Sequence, residues 1–197
     1  MPIGTPDTDV PGDASRPLFQ EPPDDLGDRE WTPGALLVAL GSYSGYERIE
    51  VARAFRTAAE RLVDSAISAR EGWEAIYPIL FCYRHTTELY LKAILTDAPF
   101  RHGLDELALD LQKKVLGKYR QDHVDLLIGR IRELHRIDPS STVFRYADAA
   151  EWAYKNSGVA LPDPELWVDF PHLRRSLGDV FNALDMIWLR GLEQGRK

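Results

Sequence analysis

The sequence holds a single cysteine, Cys82, among its 197 residues. That excludes an internal disulfide and any zinc cage built on cysteine, and its place in an apolar stretch marks Cys82 as a small buried hydrophobe. No apolar run approaches the roughly 20 residues that a membrane-crossing helix requires. The opening MPIGTPDTDVPGDASRP also lacks the basic-then-apolar order of a signal peptide. A cytoplasmic protein without membrane contact is therefore expected. The glycine signatures of P-loop and Rossmann sites are missing, as are paired Glu-x-x-His motifs, so no cofactor and no metal are expected. Positive charge is not in excess either: the net charge is −7. Residues 1–30 account for −6 of it, with eight acids against Arg16 and Arg29, and residues 31–197 are nearly balanced, with 23 acids against 22 bases. Neither a broad basic surface nor strong repulsion of phosphate follows.

What is present is helical periodicity. Residues 1–30 contain six prolines and read as an extended or disordered acidic arm. A single helical domain is expected over 31–197, entered through Trp31–Tyr46. Ile49, Ala52, Phe55, Ala59, Leu62 and Ala66 recur at helical spacing and predict a first helix over 47–69. A second, apolar on nearly every side, is predicted over Ile76–Leu95, with Pro78 near its start and an exit near Asp97-Ala98-Pro99. Leu104, Leu107, Leu111 and Val115 mark a third helix ended by Gly117. The fourth spans about 122–137, with Asp122 as its N-cap and Val124, Leu127, Ile128, Ile131 and Leu134 inside. Residues 138–167 form a long connection that admits a short β-hairpin within 142–160, on the strand character of Thr142–Tyr146 and the turn signal Asn156-Ser157-Gly158. A last helix runs from about Asp169 to Leu192, with a wide apolar face from Leu173 to Trp188. The fold class is all-α: an up-and-down bundle of about five helices with one long inserted loop.

The second helix carries the chemistry. At 100° per residue, Arg84, Glu88 and Lys92 fall about 40° apart on one strip beside His85. Charges on so apolar a helix need partners or water. Three arrangements satisfy them: a solvated edge of i,i+4 pairs, a pocket in which Arg84 and Lys92 hold an anion while His85 moves a proton, or a buried network.

Three segments in order resemble a group of bacterial HEPN-like proteins. They are Tyr83-Arg84-His85-Thr86-Thr87-Glu88-Leu89-Tyr90-Leu91-Lys92, His102-Gly103-Leu104-Asp105-Glu106-Leu107, and Asp138-Pro139-Ser140-Ser141-Thr142-Val143-Phe144-Arg145-Tyr146. The resemblance covers about residues 47–190 and implies a helical bundle, commonly a homodimer. Many members are metal-independent ribonucleases of toxin–antitoxin or antiviral defence systems, and others are non-catalytic modules. The catalytic members carry an arginine, a polar residue and then a histidine after four to six intervening residues. Arg130 and His135 have that spacing with apolar Ile131 between them. Arg84-His85 has the polar second residue, but Tyr90 stands where the histidine would follow.

The resemblance thus implies either a candidate endoribonuclease or a module that binds a partner protein, a nucleotide or RNA. In the first, Arg84, His85, His102 and Arg145 would be catalytic. Glu88, Lys92, Asp138 and Tyr146 would bind or orient, and Arg130 with His135 would be the alternative pair. RNA or a nucleotide, a second copy of the chain, and an antitoxin or defence-system protein are the expected partners. Asp138 would orient Arg145 or His85, bringing the 138–146 loop to the second helix.

Overall fold

The computed structural model describes residues 48–95, 101–146, 148–160 and 165–195. The expected arm (1–30), the entry segment (31–46) and the exit of the second helix at 97–99 lie outside them. Six α-helices and no strand are present among the described residues: α1 Arg48–Ala69, α2 Trp73–Leu95, α3 Leu104–Val115, α4 Gln121–Ile137, α5 Ala150–Ser157 and α6 Phe170–Gly195. The fold is all-α, as the periodicity predicts.

Helix α2 is the centre. It packs against α1 along the longest of the helix pairings and also against α3 and α6, while α4 covers α3 and touches α6. Its sequence explains the position, since Ile79, Tyr83, Tyr90, Leu91 and Ile94 are all buried. The short α1–α2 link, Arg70 to Gly72, makes that pair antiparallel. Tyr83 and Tyr90 both stack on Phe181 of α6, with ring centroids 6.0 and 5.7 Å away. The last carbonyls of α2 lack intrahelical partners, and cations from two other helices supply them: Arg48 Nη1 donates to Lys92 O at 2.9 Å and Lys114 Nζ to Ile94 O at 2.6 Å.

Three local expectations are corrected. First, the described residues of the 142–160 region form no hairpin. Asn156-Ser157-Gly158 is instead the end of α5, with Gly158 as its left-handed C-cap at φ 69°. Ala153 and Tyr154 of α5 pack with Val143 and Phe144 of the loop, over Leu80, Phe81 and Ile137. The bundle therefore has a sixth, short helix where a loop was expected. Second, α4 begins at Gln121 without a side-chain cap, and Asp122 pairs with Arg120 at 2.6 Å. Third, α2 begins at Trp73, so Pro78 lies inside the helix and not in its first turn. Its missing N–H falls on an exposed face, where the freed backbone can turn to water. The end of α3 follows the glycine signal, with Gly117 left-handed at φ 71°. Asp169 caps α6, its Oδ1 accepting the His172 N–H at 2.7 Å.

Among the described residues no helix is long and apolar enough to cross a membrane.

Candidate functional site

The polar strip of α2 is a buried network, not a solvated edge. Arg84, Glu88 and Lys92 are 1%, 3% and 5% exposed, and Asp138, at the end of α4, is 1% exposed. Glu88 is the shared acceptor. Its Oε1 takes Lys92 Nζ at 2.7 Å and the His102 ring, through Nδ1, at 2.8 Å, while its Oε2 takes Arg84 Nη1 at 3.1 Å. Burial raises the Glu88 pKa, but Lys92, His102 and Arg84 together outweigh it, and the carboxyl ends below its ordinary value.

Arg84 is the hub. Its Nε donates to the Asp138 carbonyl at 3.0 Å and its Nη2 to the His102 carbonyl at 2.9 Å. One guanidinium thereby joins α2, the start of α3 and the end of α4. Burial pulls its pKa down, and Asp138 and Glu88 oppose the pull. Asp138 faces two ways. Its Oδ1 accepts the backbone N–H groups of Thr142 and Val143 at 2.8 and 3.1 Å, holding the first turn of the 138–146 loop. Its Oδ2 accepts no hydrogen bond but lies 3.4 Å from Arg84 Nε, an ion-pair contact. The buried formal charges of Arg84, Lys92, Glu88 and Asp138 sum to zero, which is how such a cluster survives desolvation.

His85 stands beside this network with a different environment. Its ring meets Phe55 of α1 edge-on at 4.6 Å and stacks on Phe81 at 5.8 Å with an interplanar angle of 4°. It is half-buried and has no hydrogen-bond partner among the described residues. Burial lowers its pKa. Glu88 acts to raise it, and Arg84, Lys92 and Arg145 lower it further, so its neutral form is favoured relative to a free imidazole. Phe55 and Phe81 were not legible as site residues. Phe81 precedes His85 by one turn, but Phe55 comes from another helix and reads as ordinary core spacing.

The loop delivers Arg145 to the outside. Ser141, left-handed at φ 63°, turns the chain, and its carbonyl accepts Arg145 Nε. The guanidinium lies over the Tyr146 ring at 5.8 Å, and the Tyr146 side chain is 56% exposed. Phe144, the other aromatic of the segment, is buried. Arg145 acts electrostatically on both Arg84 and His85. The loop and the second helix thus share one neighbourhood. The expectation that Asp138 orients Arg145 or His85 is corrected: its carboxylate holds Arg84 and the loop backbone, and Arg145 Nε donates to the Ser141 carbonyl.

The two residues of the alternative pair have different environments. Arg130 Nη1 binds Glu133 at 2.8 Å on the surface, whereas His135 is half-buried, with its Nδ1 enclosed and unpartnered. Burial lowers the His135 pKa, against the pull of Asp105. His102 is the exposed member of the α2 cluster, its side chain 64% accessible beyond the contact with Glu88. Cys82 is half-buried with its thiol pKa raised by burial. Among the described residues no group of three or more histidine, cysteine, aspartate or glutamate side chains could hold a metal ion.

Fold and site together define an all-α bundle whose central helix carries a buried ion network with a histidine and an exposed arginine at its margin. No protein-family model, no curated protein and no solved structure matches this sequence.

Proposed function

We propose that this protein is an HEPN-like module that binds RNA or a nucleotide without cleaving it. One observation carries the reading: the two α2 cations that could hold a phosphate, Arg84 and Lys92, are 1% and 5% exposed and engaged by Glu88 and, for Arg84, by two carbonyls. Reaching a ligand would strip buried partners from both, leaving Glu88 and Asp138 as uncompensated buried charges, at a cost of about 3–5 kcal/mol. The network is thus a scaffold. What it presents outward is Arg145 over Tyr146, a guanidinium and an exposed ring side by side, a combination suited to a phosphate and a stacked base.

A second reading, a metal-independent ribonuclease of a toxin or defence system, is favoured by His85. An imidazole whose pKa is lowered by burial, with no hydrogen-bond partner among the described residues and in the positive field of Arg145, suits a base that takes the proton of a ribose 2′-OH. Arg145 would then stabilise the charge developing on the phosphate. Incubating the purified chain with single-stranded RNA separates the two. The module reading expects binding that Arg145→Ala abolishes, with intact RNA throughout. Cleavage lost in His85→Ala, with the helical fold retained, would replace it with the ribonuclease.

A further inference from the structure

We propose that Arg84 makes the start of α3 and the 138–146 loop one coupled unit, so that the solvent-facing His102 ring is a handle on the loop that carries Arg145. His102 and Thr142 are forty residues apart in sequence, and no hydrogen bond joins them directly. The connection runs through buried groups only. The His102 ring holds Glu88 Oε1 at 2.8 Å, Glu88 Oε2 holds Arg84 Nη1 at 3.1 Å, and Arg84 Nε holds the Asp138 carbonyl at 3.0 Å. Asp138 Oδ1 then holds the Thr142 and Val143 amides. A second link, from Arg84 Nη2 to the His102 carbonyl at 2.9 Å, closes the unit on itself.

Two features make this more than a static brace. Arg84 is planar and rigid, and three of its N–H groups are directed at three separate parts of the chain, so a shift of one acceptor reorients the donors to the other two. The cluster also has one way in from solvent among its side chains: Glu88, Arg84, Lys92 and Asp138 are buried, and the His102 ring is 64% accessible. A contact that draws the ring off Glu88 leaves that carboxylate to Lys92 and Arg84 alone. Arg84 then turns toward Glu88, its hold on Asp138 weakens, and the loop amides open. The unit rests on the geometry of the network and does not depend on whether the loop binds RNA.

Native-state hydrogen exchange on the full chain tests the coupling. His102→Gln changes an exposed side chain and should leave the fold intact. The expected result is faster exchange of the Thr142 and Val143 amides, on the order of tenfold, while the amides of α1 and α6 keep their protection. Asp138→Ala, which removes the acceptor itself, should give a larger effect at the same two amides and so sets the ceiling. An effect of His102→Gln confined to residues 101–107 would overturn the proposal. So would equal acceleration across all helices, since that reports a general loss of stability and not a path through Arg84.

Discussion

Glu88 is the residue on which most of the molecule's buried charge depends. It answers Arg84, Lys92 and the His102 ring at once, so Glu88→Ala takes from buried Lys92 its carboxylate partner and from buried Arg84 one of its two carboxylate contacts. A loss of about 3–5 kcal/mol in unfolding free energy is expected by urea titration. Arg130→Ala removes only a surface pair with Glu133 and should cost no more than about 1 kcal/mol. Equal effects of the two substitutions would contradict the burial of the strip. Protonation adds a second residue-scale test. His85 and His135 both have native pKa values below the ordinary 6.5, so the unfolded chain takes up protons first. Their contribution to stability is complete above about pH 6.5 and is lost as pH falls from there through the lowered native values. Glu88, held below its ordinary 4.5, adds a further loss at lower pH, again complete only once its native value is passed. His135→Leu removes one of the proton-uptake steps, and the slope of stability against pH just below 6.5 should become shallower. An unchanged slope would show that His135 titrates alike in both states. The identities of Arg84, Glu88, Lys92 and Asp138 were legible from spacing and resemblance, but their burial was not. One-dimensional spacing places charges on a common strip without saying whether another helix covers it, and here α3's start and α4's end do.

At the scale of elements, the long helices followed from periodicity because each has an apolar stripe that repeats for three turns or more. α5 escaped because its eight residues, AEWAYKNS, offer two buried side chains and no stripe. Its turn signal was real, but Asn156-Ser157-Gly158 ends a helix there instead of joining strands. Glycines at two places provide a paired test. Gly158 is left-handed, so Gly158→Ala should destabilise by about 1 kcal/mol, as judged by the urea midpoint. Gly129 lies inside α4, and a Cβ there would meet nothing within 4 Å. Gly129→Ala should therefore stabilise by about 0.5–1 kcal/mol through helix propensity alone. Opposite signs are the expected outcome; a destabilised Gly129→Ala would mean that this face of α4 is covered.

For the whole molecule, the wide apolar face expected for the last helix meets several neighbours within the chain, since α6 packs on α1, α2 and α4. Its width is therefore not by itself a sign of association. Self-association is tested by light scattering at micromolar concentration, where a homodimer would register as twice the 22.4 kDa chain mass. A monomer at about ten times that concentration, where mass action favours association further, would remove dimerisation from the reading. The most direct measurement is a fluorescence-anisotropy titration of labelled single-stranded RNA with the full chain, alongside gel analysis of the same RNA. Saturable binding that weakens with salt, fails in Arg145→Ala and leaves the RNA intact is the result the binding-module reading predicts. Binding unchanged by Arg145→Ala, or RNA cut in a His85-dependent manner, would contradict it.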